Sequence, residues 1–161
     1  MLLRLLGTIF FLSLSAQAAE WPKPNAANCD FYYQLETKLK CKTQDENYLS
    51  DYAPFYCEKF LKESHEWSRP LKGWAQKTSN CLQEKLYEHQ NNTQFNCKTL
   101  EEEAFRIHSK CYNEADLCQL KISEIYKIFQ VIKLKDFFKE FKYSDGGMTR
   151  LMTSCLKNHL F

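Results

Sequence analysis

An all-α, disulfide-stapled single helical domain of about six helices is the fold class this sequence predicts, on three observations. Four glycines and four prolines are few for 161 residues, so most of the chain lacks the residues that interrupt helices. Val and Ile are sparse and no run alternates apolar with polar, so the period-two pattern of strands is missing. The eight cysteines, Cys29, Cys41, Cys57, Cys81, Cys97, Cys111, Cys118 and Cys155, all follow the N-terminal leader. An even number of cysteines in an exported domain points to a disulfide framework.

The leader is "MLLRLLGTIFFLSLSAQAAE". It carries one early positive charge, Arg4, then an apolar run from Leu5 to Leu14, then Ala16-Gln17-Ala18 as an A-x-A cleavage site. This is the pattern of a secretory signal peptide. The run is short of the ~20 residues that span a bilayer. Residues 1–18 are therefore expected to be cleaved, leaving a domain over residues 19–161 that is secreted and extracellular. No later stretch reads as a membrane span. The formal charge of the whole chain is +2, and cleavage removes Arg4 from it. A balance this close to neutral gives no electrostatic basis for binding nucleic acid or an anionic membrane.

The first helix is expected near Asp30 to Lys42, before the acidic loop "TQDENYLS". The second is expected near Asp51 to Glu66, with Asp51 as N-cap and Pro54 tolerated in its first turn. Tyr52, Phe55, Tyr56 and Phe60 lie on its adjoining rows. "SRP" at Ser68 to Pro70 ends it. The third, near Leu71 to Glu88, carries Leu71, Trp74, Ala75, Thr78, Leu82 and Leu86 at spacings of three and four, a buried stripe. "HQNNTQFN" is the loop after it. Thr99 and Glu102 have capping-box spacing and are expected to open the fourth helix. Leu100, Ala104, Ile107, His108 and Cys111 fall on one face of that helix. The fifth is expected near Ser123 to Lys135, with Ile125 or Ile122, then Ile128, Phe129 and Ile132 inward. It is read as continuing through "DFFKEF". "SDGG" at Ser144 to Gly147 is a turn, and the last helix runs near Met148 to His159.

Catalytic signatures are lacking. There is no G-x-S-x-G elbow, no H-E-x-x-H and no Gly-rich phosphate loop. The Cys-Cys-x-x-His helix and calcium loop of small secreted phospholipases are also missing. His65 in "KESHEW" and His108 in "FRIHSK" have no surrounding motif and are read as ordinary helix residues. No C-x-x-C or close His pair offers a zinc site, since His65, His89, His108 and His159 are scattered. No catalytic residue, metal or cofactor is expected, and the chain is not read as an enzyme. The acidic run "LEEEAF" lacks EF-hand spacing and is read as the first turn of a helix, where carboxylates favour the helix dipole. "KIFQVIKLKDFFKEF" could lie on a membrane surface but is read as core-facing. Asn91-Asn92-Thr93 is the sole sequon, so Asn91 is expected to carry a glycan on an exposed loop.

Cys111 and Cys118 pose a particular question. In one unbroken helix they would stand about 10 Å apart along the axis. A disulfide needs Cα atoms within about 7 Å. On that premise each must bond elsewhere, and spacing alone does not choose among the 105 pairings that eight cysteines allow.

The intervals between Cys57, Cys81, Cys97, Cys111 and Cys118 are 24, 16, 14 and 7 residues. With "CEKFLKESHEWSRPLKGWAQKTSNCL", "KCYNEADLC" and "VIKLKDFF", this run resembles the stanniocalcins, secreted glycoprotein hormones. The resemblance spans Cys29 to Cys155 and is strongest from Cys57 to Cys118. It implies the pairs Cys29–Cys57, Cys41–Cys97, Cys81–Cys111 and Cys118–Cys155. It also implies regulation of calcium and phosphate homeostasis through a protein receptor. Inhibition of an extracellular, pappalysin-type metalloprotease is the alternative partner reading.

The sequence departs from the family in three places. An additional N-terminal cysteine pair is missing. So is the cysteine by which one branch locks onto its protease, between the positions of Cys81 and Cys97. No subunit-linking cysteine follows Cys155. Protease capture would therefore be non-covalent, and so would a homodimer.

Overall fold

The computed structural model describes residues 20–44, 47–89, 96–133, 136, 138, 142–144 and 146–160. The leader and the Asn91 sequon lie outside the described residues. Among those described there are six α-helices and no strand. They are α1 (Asp30–Leu39), α2 (Ala53–Glu63), α3 (Arg69–His89), α4 (Cys97–Glu114), α5 (Ile122–Val131) and α6 (Gly147–Leu160). The all-α, stapled fold class predicted from composition and periodicity is the one observed.

Several boundaries differ from the sequence expectation, each for a local reason. α1 stops at Leu39 rather than Lys42, because Lys40 turns left-handed (φ 55°) and returns its N–H to the Glu36 carbonyl at 2.6 Å. A 3-10 turn over Cys41–Gln44 then carries Cys41 into the core. Asp51 does not cap α2. It lies inside a π-helical turn over Tyr48–Tyr52 that runs directly into the helix, with the Asn47 carbonyl accepting from the Asp51 and Tyr52 amides. Residues Ser64–Glu66 form a separate 3-10 turn after α2. Asn96, not Thr99, caps α4, and its side chain accepts from the Lys98 and Thr99 amides at 3.0 and 3.3 Å. Asn is at least as good an N-cap as Thr, so the earlier residue takes the position.

α5 begins at Ile122, where Glu124 reaches back to accept from the Lys121 amide at 2.9 Å. It ends at Val131, so the expected run to Lys135 is broken there. Of the two isoleucines weighed for its inner face, Ile125 is buried and Ile122 is exposed. The core-facing reading of residues 127–141 holds at Ile128, Val131 and Ile132, which are buried, and fails at Phe138, which is 62 % exposed.

α3 and α4 are the spine, and they run antiparallel. Trp74 meets Tyr112, Cys81 bridges Cys111, and His89 pairs with Glu103, so ascending positions on one helix meet descending positions on the other. Each end of this pair anchors its own hydrophobic cluster. Leu86, Leu100, Ala104 and Ile107 pack with α1 residues Phe31, Tyr32 and Leu35 and with Leu49. Leu71, Trp74 and Tyr112 pack with Ile125 and Ile128 of α5 and with Met148 and Leu151 of α6. Two satellite helix groups thus sit at opposite ends of one hairpin. No described helix is long and apolar enough to cross a membrane.

Candidate functional site

The cysteines come first, because they decide which surfaces are held rigid. The bridges are Cys29–Cys57, Cys41–Cys97, Cys81–Cys111 and Cys118–Cys155, and no free cysteine remains. Cys29–Cys57 joins the start of α1 to α2, and Cys41–Cys97 ties the turn after α1 to the start of α4. Cys81–Cys111 crosses the α3/α4 spine. Cys118–Cys155 fastens α6 to the 3-10 turn Leu117–Gln119. Cys111 and Cys118 do go to different partners, but the unbroken helix assumed between them does not exist. α4 ends at Glu114, and Asp116 takes a left-handed conformation (φ 67°) before the 3-10 turn begins.

The histidines occupy unlike environments. His65 is exposed on the turn after α2. His89 is paired with Glu103 at 3.1 Å. His108 is buried on α4, stacked on Tyr112 and edge-on to Phe105. Burial pushes the His108 pKa down to about 4, so its ring is neutral at physiological pH. The "LEEEAF" carboxylates are not in a first turn, because α4 starts earlier than expected. They lie in its second turn, where Glu102 and Glu103 hold Arg106 at 3.0 and 2.6 Å. Among the described residues, no cluster of His, Cys, Asp and Glu has the arrangement to hold a metal ion.

Two features were not legible beforehand. Gln83 is fully buried on α3. Its side chain accepts from the Asn25 amide at 2.7 Å and donates to the Asn25 and Asn28 carbonyls, both at 3.3 Å. It therefore clamps the extended N-terminal segment ahead of α1. It was not among the residues of the predicted α3 stripe, and a glutamine there gave no sign of its partners.

The second feature is a cavity of about 320 Å³ between the two hydrophobic clusters. Its body is walled by Tyr48, Tyr52, Tyr56, Trp74, Tyr112 and Ile132. The π-helical turn matters here, since it brings the Tyr48 and Tyr52 rings into a stack with Tyr52 against Tyr56. Tyr56 is fixed in turn, donating to Asp136 at 2.5 Å and accepting from the Lys133 amide at 3.1 Å. Ser64, Lys72 and Gln76 supply polar lining on the more exposed side. Trp74 Nε1 and Thr78 Oγ1, one turn apart on the α3 wall, are buried with no hydrogen-bond partner among the described residues.

A family model described as the stanniocalcin family matches residues 37–159, more than half of the chain. In the same comparisons, no curated protein and no solved structure gave a significant match. The matched region contains both ends of three bridges, and it contains Cys57 but not Cys29 of the fourth.

Proposed function

The chain belongs to the stanniocalcin family, and from that premise we propose that it is a secreted, hormone-like glycoprotein regulating calcium and phosphate handling through a protein partner. The family match over residues 37–159 carries this reading. The leader over residues 1–18 supports export, and four bridges with no free thiol suit an oxidising compartment. The sequon at Asn91 supports glycosylation. The reading includes no catalysis. His65 stands in solvent, and His108 is held neutral between aromatic rings.

A protein partner is supported by Ile122 and Tyr126, both 62 % exposed and one turn apart on α5. An aromatic–aliphatic pair of this kind suits the buried centre of a protein interface. Any self-association on this reading is non-covalent, because every cysteine is taken up within the chain.

The test is to apply the purified, unreduced secreted protein to epithelial monolayers and measure transepithelial calcium and phosphate flux. A saturable change in either flux is expected, reduced by Tyr126→Asp. Unchanged fluxes would count against the hormone reading. Co-purification with an extracellular metalloprotease, together with a fall in its activity, would favour non-covalent inhibition instead. The complete set of intrachain bridges makes that second reading compatible with the absence of a capturing thiol.

A further inference from the structure

We infer that the cavity between the two clusters is a ligand site for a small amphipathic carboxylic acid. Its carboxylate meets Lys72, and its apolar body fills the ring-lined interior. The observations divide by part of the ligand. A volume of about 320 Å³ is in the range of pockets that enclose a small organic molecule. The ring-lined body favours an apolar chain or ring system over a sugar or peptide backbone, whose polar groups would go unpaired there.

Among the described residues that line the cavity none is acidic, and Lys72 alone is charged at neutral pH, since His108 is neutral. Lys72 is exposed and donates to the His65 carbonyl at 2.9 Å. Its ammonium has three donors, so two remain for an anion. A cationic ligand would meet like charge at Lys72 and no carboxylate among the described lining residues.

Trp74 Nε1 and Thr78 Oγ1 are closed off by neighbouring atoms, so a ligand in the cavity does not reach them. A hydroxyl added to the ligand's apolar body would give up its water there without gaining a partner on that wall. A plain apolar body is therefore preferred.

The inference does not depend on the hormone reading and is tested separately. Equilibrium dialysis of the full secreted protein, stripped of lipid, would compare laurate, dodecanol and 12-hydroxydodecanoate. One molecule per chain is expected to bind, with laurate several-fold tighter than either dodecanol or the hydroxy acid. Ala75→Trp should fill the cavity and weaken all three at least ten-fold. Should that variant fail to fold by circular dichroism, Leu82→Trp serves the same purpose from the next turn of α3. Lys72→Gln should weaken both acids several-fold and leave dodecanol unchanged. The proposal is overturned by absence of saturable binding, by binding indifferent to the filling variants, by equal effects of Lys72→Gln on acid and alcohol, or by the hydroxy derivative binding as tightly as laurate.

Discussion

Gln83 and His108 are the two buried polar side chains whose surroundings say most about stability. Gln83 supplies three hydrogen bonds to the backbone of Asn25 and Asn28. Replacing it with leucine keeps the volume but removes the acceptor of the part-buried Asn25 amide and the donor to the Asn28 carbonyl, while the Asn25 carbonyl still accepts from the Asn28 amide. Leaving buried polar groups unsatisfied costs about 1–3 kcal/mol each. Gln83→Leu is therefore expected to lose about 1–2 kcal/mol in guanidinium unfolding of the unreduced protein, and an unchanged midpoint would mean the clamp is dispensable.

His108 makes a prediction about pH. Its folded pKa is lowered from 6.5 to about 4 by burial. Between those values the unfolded chain holds a proton that the folded chain does not. Stability must then rise with pH across that window and fall as pH drops through it. The slope approaches ~1.4 kcal/mol per pH unit and vanishes above the unfolded value. Unfolding at pH 7.5 and pH 5.5 should differ by about 1 kcal/mol on this account, and His108→Leu should flatten the difference. The inward position of His108 was legible from helical spacing, and that of Gln83 was not. The chemistry of neither was legible, because periodicity reports a face and not what lies across it.

At the scale of elements, the six helices were legible, and the errors gathered at their ends. Lys40 and Asp116 both adopt left-handed conformations without being glycine. Glycine is the usual sequence sign of such a stop, so α1 and α4 ended where nothing in the sequence announced it. The same blindness produced the assumption that one helix joined Cys111 to Cys118. The π-helical entry to α2 was equally hidden, since a Pro54 compatible with a first helical turn suits an ordinary start just as well.

Where glycine does stand at a boundary it has work to do. Gly146 takes φ 73° in the turn before α6. At Gly147, the first residue of α6, an added Cβ would come within 2.4 Å of Ser109 Oγ and 3.2 Å of Ser109 Cβ on α4. Close approach of α6 to α4 thus depends on the missing side chain. Gly147→Ala is expected to lose about 1–3 kcal/mol by overpacking. Adding Ser109→Ala should restore most of it. A single variant as stable as the parent in thermal unfolding would show that α6 can shift freely.

Across the whole molecule, the design is one antiparallel hairpin with a helix group packed at each end. The bridges distribute accordingly. Two secure the N-terminal group, one crosses the hairpin and one holds α6. Each typically adds about 2–4 kcal/mol by restricting the unfolded chain. The cavity falls where the two groups meet, and that juxtaposition depends on contacts between residues far apart in sequence. This is why the cavity could not be read from local patterns, although the α3 stripe that forms one of its walls was. The number of bridges was legible from the cysteine count. Their partners were not, and entered only through the family resemblance.

The most direct measurement is peptide mapping by mass spectrometry of the protein recovered, unreduced, from the culture medium. The secreted, stapled framework predicts a chain beginning at Ala19, a glycan on Asn91 and four intrachain bridges. Those are Cys29–Cys57, Cys41–Cys97, Cys81–Cys111 and Cys118–Cys155, with no free thiol and no link between chains. Retention of the protein in the cell, a different set of pairs, or a disulfide-linked dimer would contradict it.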